Sequence, residues 1–371
     1  MGTWKSGELG NFVTLKRGFD LPQQKRRDGQ VPIFSSSGVT GTHSDAMIKA
    51  PGVITGRYGT IGEVFFASED FWPLNTTLFV DDFHGNDEKF IYYFLKTLEW
   101  SKFTSASAVP GINRNTVHKE IVCLPDIGTQ KEISNTLSLL DEKIKTNIKI
   151  NDNLEQQAQS YFQELFVDNA NLEWTTGTIS DLGAVVGGST PSKANPEYYT
   201  ESGIAWITPK DLSINKSKFV SHGENDITEL GLKNSSAAIM PEGTVLFSSR
   251  APIGYIAIAA GEVTTNQGFK SVVPKPEIGT PFIYFFLKNA LPVIEGMASG
   301  STFKEVSGST MKNVPAVIPD AETLAKFSDF CAPIFAQQRI LEEQNQSLAT
   351  LRDNLLPKLM SGEIDVSAVQ F

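Results

Sequence analysis

Phe90-Ile91-Tyr92-Tyr93-Phe94-Leu95-Lys96 is written a second time, with one change, as Phe282-Ile283-Tyr284-Phe285-Phe286-Leu287-Lys288. A repeat at a long displacement marks a duplicated unit, and it decides how the rest of the chain is read. The duplication extends outward. Trp4 precedes Leu9-Gly10, and Trp174 precedes Leu182-Gly183. Arg57…Ile61-Gly62 parallels Arg250…Ile253-Gly254 with one residue of slippage, and Asn75 and Asn266 hold corresponding places. Leu124-Pro125-Asp126 is answered by Ile318-Pro319-Asp320, 194 residues later.

A heptad-like pattern follows each Pro-Asp pair. Its first copy runs Ile133, Leu137, Leu140, Ile144, Asn147, Asn151, Leu154, Ala158, Tyr161, Leu165; its second runs Phe327, Cys331, Ile334, Gln338, Leu341, Asn345, Leu348, Arg352, Leu355, Leu359. Steps of four and three keep one seam on one helix face, as in a coiled coil. The second pattern is read as uninterrupted up to Pro357. Asn151 and Asn345 fall at equivalent seam positions, where a polar residue either fixes register or lies on the seam's wet edge.

The remaining stretches mix short β-branched and aromatic runs, such as Val53-Ile-Thr55 and Val245-Leu-Phe247, with Gly, Pro, Ser and Asn punctuation. The chain therefore reads as α+β: a globular domain over 1–128, a long helix over 129–168, a second domain over 169–322, and a second helix with a tail over 323–371. The seam from Phe327 to Leu359 is 32 steps, about 48 Å at ~1.5 Å per residue, or about 14 base pairs of DNA. Two heads held that far apart suit two short sites separated by an unread spacer.

Composition bounds the alternatives. The formal net charge is −10, which argues against a generic nucleic-acid binder, but residues 1–130 carry 13 Lys and Arg against 14 Asp and Glu. Local basic clusters can still face phosphate. The two cysteines, Cys123 and Cys331, make no metal-ligand pattern and suit a reducing cytoplasm. No long apolar run suggests a membrane span.

The ending Leu348…Leu351-Arg352…Leu355-Leu356…Leu359…Ser361-Gly362-Glu363-Ile364, with Ser299-Gly-Ser-Thr-Phe-Lys-Glu-Val306, Trp206-Ile-Thr-Pro-Lys-Asp-Leu212 and Gly187-Gly-Ser-Thr-Pro191, resembles the specificity subunit of type I restriction-modification systems. The resemblance implies two target-recognition domains, each reading half of a split sequence in double-stranded DNA. It implies two long helices packed as an antiparallel coiled coil, with a pseudo-twofold internal repeat. It also implies docking of two methyltransferase subunits that use S-adenosylmethionine, and of two restriction subunits that use ATP and Mg. This chain itself would bind no cofactor or metal and would catalyse nothing. Members often carry paired prolines and Glu-Gln before each helix; here only Pro125 with Gln130 is kept in the first copy, and Ala321-Glu-Thr-Leu324 stands in the second.

Reading DNA needs phosphate contacts for position and base-edge contacts for sequence. In the first head the candidates are Lys16, Arg17, Lys25, Arg26, Arg27, Arg57, Tyr58 and Arg114. Arg57-Tyr58-Gly59 reads as a loop that carries a planar cation, while Lys25–Arg27 is a phosphate cradle or a solvated loop. In the second head they are Thr190, Lys193, Lys210, Asp211, Ser249, Arg250 and Lys304. Arg250 repeats Arg57, and the alternative for the pair is a shared structural ion pair.

Other chemistry is weakly signalled. Pro125-Asp126 with Asp141-Glu142-Lys143 fits a loose nuclease pattern, but its second half falls inside the heptads and has no counterpart in the second copy. Asn195-Pro196-Glu197-Tyr198 only approximates an adenine-gripping motif, and no P-loop is present. Two rivals remain: a duplicated protein-binding scaffold, and a specificity subunit serving a fused methyltransferase-nuclease.

Overall fold

The two Pro-Asp pairs begin the two long helices. In the computed structural model, which describes residues 3–104, 110–300 and 304–369, the Asp126 carboxylate accepts from the Gly128 and Thr129 amides, both at 3.1 Å. Asp320 accepts from the Thr323 amide at 2.8 Å and from its hydroxyl at 3.0 Å. A carboxylate at a helix N-terminus satisfies amides that have no partner within the helix. These hydrogen bonds hold both carboxyls below the usual carboxylate range, led in each case by a threonine amide. The helices run Ile127–Gln163 and Ala321–Met360. The missing proline pair does not blur their starts, because the aspartates do the capping.

The second helix runs through Pro333 and on past Pro357. The heptad reading passed over Pro333. Pro333 is exposed, and so is Asp329, whose carbonyl is left without its helical donor. Beyond Gln163 the first helix widens into a looser turn over Glu164–Asp168.

The chain divides into two compact units, residues 1–145 with 346–371, and residues 146–345. They cut across the four-part linear division, because each takes one head and a stretch of both long helices. In the first unit, Ile133 and Leu137 from one helix and Leu356 and Leu359 from the other enter the same core as Phe90 and Phe94. In the second, Ala158 and Phe162 join Phe327 and Cys331 around Phe282 and Phe285. The seam residues Ile144, Asn151, Leu154, Asn345, Leu348 and Leu355 are half-buried, and Ile133, Leu137, Leu140, Ile334, Leu341 and Leu359 are buried. Burying one such side chain is worth about 1.5–3 kcal/mol.

Both heads share one topology. The first has an antiparallel sheet in the order Thr14–Arg17, Thr77–Asp82, Gly52–Gly56, Val64–Ala67. The second repeats it as Gly183–Gly187, Lys270–Pro274, Val245–Ser249, Ile253–Ala259, and adds Phe219–Val220 at the edge. The duplicated string is the helix lying on each sheet, Glu88–Thr97 and Thr280–Met297. Asp87 caps the first, accepting from the Phe90 amide at 2.8 Å, and Phe90, Ile91, Phe94 and Leu95 turn to the core at helical spacing. In each copy an opening strand, Trp4–Glu8 or Thr175–Thr178, pairs antiparallel with the strand that leads into the long helix, Ile121–Pro125 or Pro315–Ile318.

In the second unit the helices run antiparallel. The Asn147 amide donates to Asn345 Oδ1 at 2.9 Å, while further along Asn151 and Gln338 exchange side-chain amide to main-chain carbonyl bonds at 3.3 and 3.2 Å. Asn345 is thus engaged by Asn147, and Asn151 by Gln338. Polar groups that meet only in one alignment favour that alignment.

Candidate nucleic-acid interface

In the first head, the strand Gly52–Gly56 delivers Arg57 into a cleft. The Arg57 amide donates to the Thr76 carbonyl at 2.8 Å, and its carbonyl accepts from the Ile112 amide at 3.0 Å, so its main chain is held from two sides. Its guanidinium lies 4.6 Å from the centre of the Tyr58 ring. Tyr58 packs directly on Gly111, where a Cβ would come within 2.1 Å of the ring. The cleft holds about 460 Å3 and is lined by Arg17, Arg57, Tyr58, Asn113, Arg114 and Asn115, with Leu78 and Ile112 as its apolar wall. Arg17 ends a strand and reaches Asp20 at 3.4 Å. Arg114 is exposed at the start of a short helix whose cap, Asn113, accepts from the Asn115 amide at 3.0 Å. Beside it, His118 accepts the Leu15 amide at 2.9 Å; burial and the Arg114 charge hold its imidazole below the usual histidine range.

The other first-head cations lie elsewhere in that head's structure. Lys16 pairs with Asp81 at 2.8 Å. Lys25 is exposed, and Arg26 is half-buried with its Nε shielded and without a hydrogen-bond partner among the described residues. Arg27 pairs with Asp45, and its amide donates to His43 at 2.9 Å. The run is divided among three environments rather than gathered as one cradle.

In the second head Arg250 stands at the same place, directly after Val245–Ser249, but Glu305 sits 3.5 Å from it. Lys270 flanks the same carboxylate at 3.9 Å, and burial lowers its ammonium against the pull of Glu305. Thr190 bonds to Gln267, while Lys193 and Lys304 are exposed. Lys210 pairs with Glu224 at 2.6 Å. Two candidates need correction. Ser249 is fully buried and donates to the Gly268 carbonyl at 3.1 Å, so its hydroxyl is closed off from any external ligand. The Asp211 carboxylate accepts the Thr208 amide and hydroxyl at 2.7 and 2.6 Å and the Glu224 amide at 2.9 Å, which makes it a helix cap.

A family model described as the type I restriction modification DNA specificity domain matches residues 1–156 and again residues 171–351. The chain belongs to this family. It is 39% identical over 194 residues to the type I restriction enzyme MjaIX specificity subunit of Methanocaldococcus jannaschii, a match covering 50% of this chain and 45% of that protein. It is 24% identical over 347 residues to the HindI specificity subunit of Haemophilus influenzae, covering 72% and 75%. The match thus spans under half of the first relative and three-quarters of the second. The fold is that of the type I restriction-modification S subunit from M. genitalium, with a TM-score of 0.65, 18% identity and 96% of each chain covered.

Within this specificity-domain frame, the first copy brings Arg17, Arg57, Tyr58 and Arg114 together and leaves Lys16 and Lys25–Arg27 apart. Asn113 and Asn115 escaped the sequence reading although they flank Arg114. Lys270 and Glu305 escaped it as well, and nothing local announces their pairing. Ser301–Phe303 of the family-like segment lie outside the described residues. The acids of the nuclease-like pattern are engaged in structure: Asp126 caps its helix, and Asp141 accepts from Arg352 at 2.6 Å and from the Tyr93 hydroxyl at 2.5 Å. Asn195–Tyr198 forms a short turn. No described helix is long and apolar enough to cross a membrane.

A second polar cluster, unforeseen in the sequence, lies inside the second unit. Glu155 meets Lys218 at 2.6 Å and Lys288 at 2.5 Å, and accepts from the Tyr284 hydroxyl at 3.1 Å. Lys218, 6% exposed, also donates to Gln338 and lies 3.8 Å from the Phe335 ring centre. Burial pushes the Glu155 carboxyl up, but the two lysines outweigh it and hold it below its usual range. Burial likewise raises the neighbouring Cys331 thiol to about 12, which leaves it inert.

Proposed function

We propose that this chain is the DNA-specificity subunit of a type I restriction-modification complex, each head reading one half of a split target in double-stranded DNA. The observation that carries the reading is the first-head cleft, where three arginines converge with two asparagines and Arg57 has no paired carboxylate among the described residues. Fixed cations beside amide groups match phosphate and base edges together. The chain supplies the address and no catalysis. Two methyltransferase subunits bring S-adenosylmethionine, and two restriction subunits bring ATP and Mg; the complex works in the cytoplasm. The long helices set the unread spacer. Adenine methylation is mapped in cells that carry the partners with either the native chain or one bearing a four-residue insertion in one long helix. The expected result is the same two half-sites at longer spacing. A motif indifferent to the chain contradicts the reading and favours the protein scaffold.

A further inference from the structure

We infer that Arg57 reads a guanine in the half-site of the first head, while the more exposed Arg17 and Arg114 of the same cleft grip phosphate. The inference rests on the proposed function and divides the labour within that cleft. Phosphate binding tolerates mobile cations, because the charge is diffuse and identical at every step. Base reading needs a donor pair held in place. Among the three arginines, Arg57 meets that demand. Its main chain is bonded on both sides, its guanidinium is backed by the Tyr58 ring, and Leu78 and Ile112, both nearly fully buried, stand beside it. Arg17, 51% exposed, and Arg114 lack that confinement. The planar guanidinium fork fits guanine O6 and N7, the pair of acceptors that the major groove presents. The second head differs: there Arg250 occupies the same place but has the Glu305 carboxylate 3.5 Å away, so its charge is already paired.

The test uses the full chain assembled with its methyltransferase partners, on duplexes of its methylated sequence. Each guanine of both half-sites is replaced in turn by 7-deazaguanine, which lacks the N7 acceptor. The native complex should lose about tenfold in affinity at one guanine of one half-site. Arg57→Lys keeps the charge and the stem but not the fork. That complex should bind the unmodified duplex about tenfold more weakly, and its further loss at that guanine should be smaller than the native complex's. Losses that add at every guanine overturn the inference, and so does loss of all binding, non-specific binding included. Arg114→Gln should weaken all duplexes alike and flatten the salt dependence. Failure of the underlying reading is separate: the native complex would then not prefer its sequence over a scrambled duplex.

Discussion

The duplicated string differs at one position, Tyr93 in the first head and Phe285 in the second, and each residue has partners of its own kind. Tyr93 donates to Asp141, which also holds Arg352. The residues 194 positions away from these two are Phe335 and Ala158. Phe335 lies 6.1 Å from Phe285, ring to ring, and both it and Ala158 are buried in that unit's core. One packing position is thus a polar triad in one copy and an apolar trio in the other. The second head carries its polar network one step along the helix, at Tyr284, Lys288 and Glu155. The counterparts of those residues are Tyr92, Lys96 and Ala349, so the first copy has alanine where the second unit's carboxylate stands. A duplicated scaffold can exchange whole groups of touching residues but not single members, because a lone buried polar group costs what its partner returned.

The largest effect expected from breaking this comparison is at Glu155. Glu155→Ala removes the carboxylate that pairs with the buried Lys218 ammonium and should cost about 3–5 kcal/mol, read from urea unfolding. Asp141→Ala in the more open triad should cost about 2 kcal/mol, because both it and Arg352 keep some contact with water. Acid should separate the two units as well. His118 has its folded pKa below the ordinary 6.5, so the unfolded chain takes the proton first as pH falls. Its contribution to the first unit is full above about pH 6.5 and declines as pH falls through the folded value. Glu155, lowered from 4.5, keeps its contribution to the second unit until pH falls below about 4.5. Amide exchange followed across that range should therefore show the first unit loosening at higher pH. The smallest effect is the sharpest: Tyr93→Phe with Asp141→Phe and Arg352→Ala copies the apolar trio and should stay within about 1 kcal/mol of the native chain, although Asp141→Ala alone does not.

The repeat, the two long helices and the place of Arg57 were legible in the sequence because each rests on local spacing. Apolar residues at heptad steps must share a face, and Arg57 with Ile61-Gly62 recurs in the second copy as Arg250 with Ile253-Gly254, one residue closer. Asp211 was legible too and was misread, since Thr208-Pro209-Lys210-Asp211 is a helix-start pattern with proline at the first turn. Ser249 misled for another reason. Its strand is covered on both faces and all five residues are buried, so alternation could not separate inside from outside. The pairing of Arg250 with Glu305, and of Lys218 with Glu155, depends on chain segments far apart in sequence. No window of residues carries that information.

The most direct measurement of the central claim is genome-wide adenine methylation, by single-molecule sequencing, in the native host with and without this gene. The claim predicts that one split motif disappears when the gene is removed and returns with it. An unchanged methylation map, with the partner genes expressed, would contradict it.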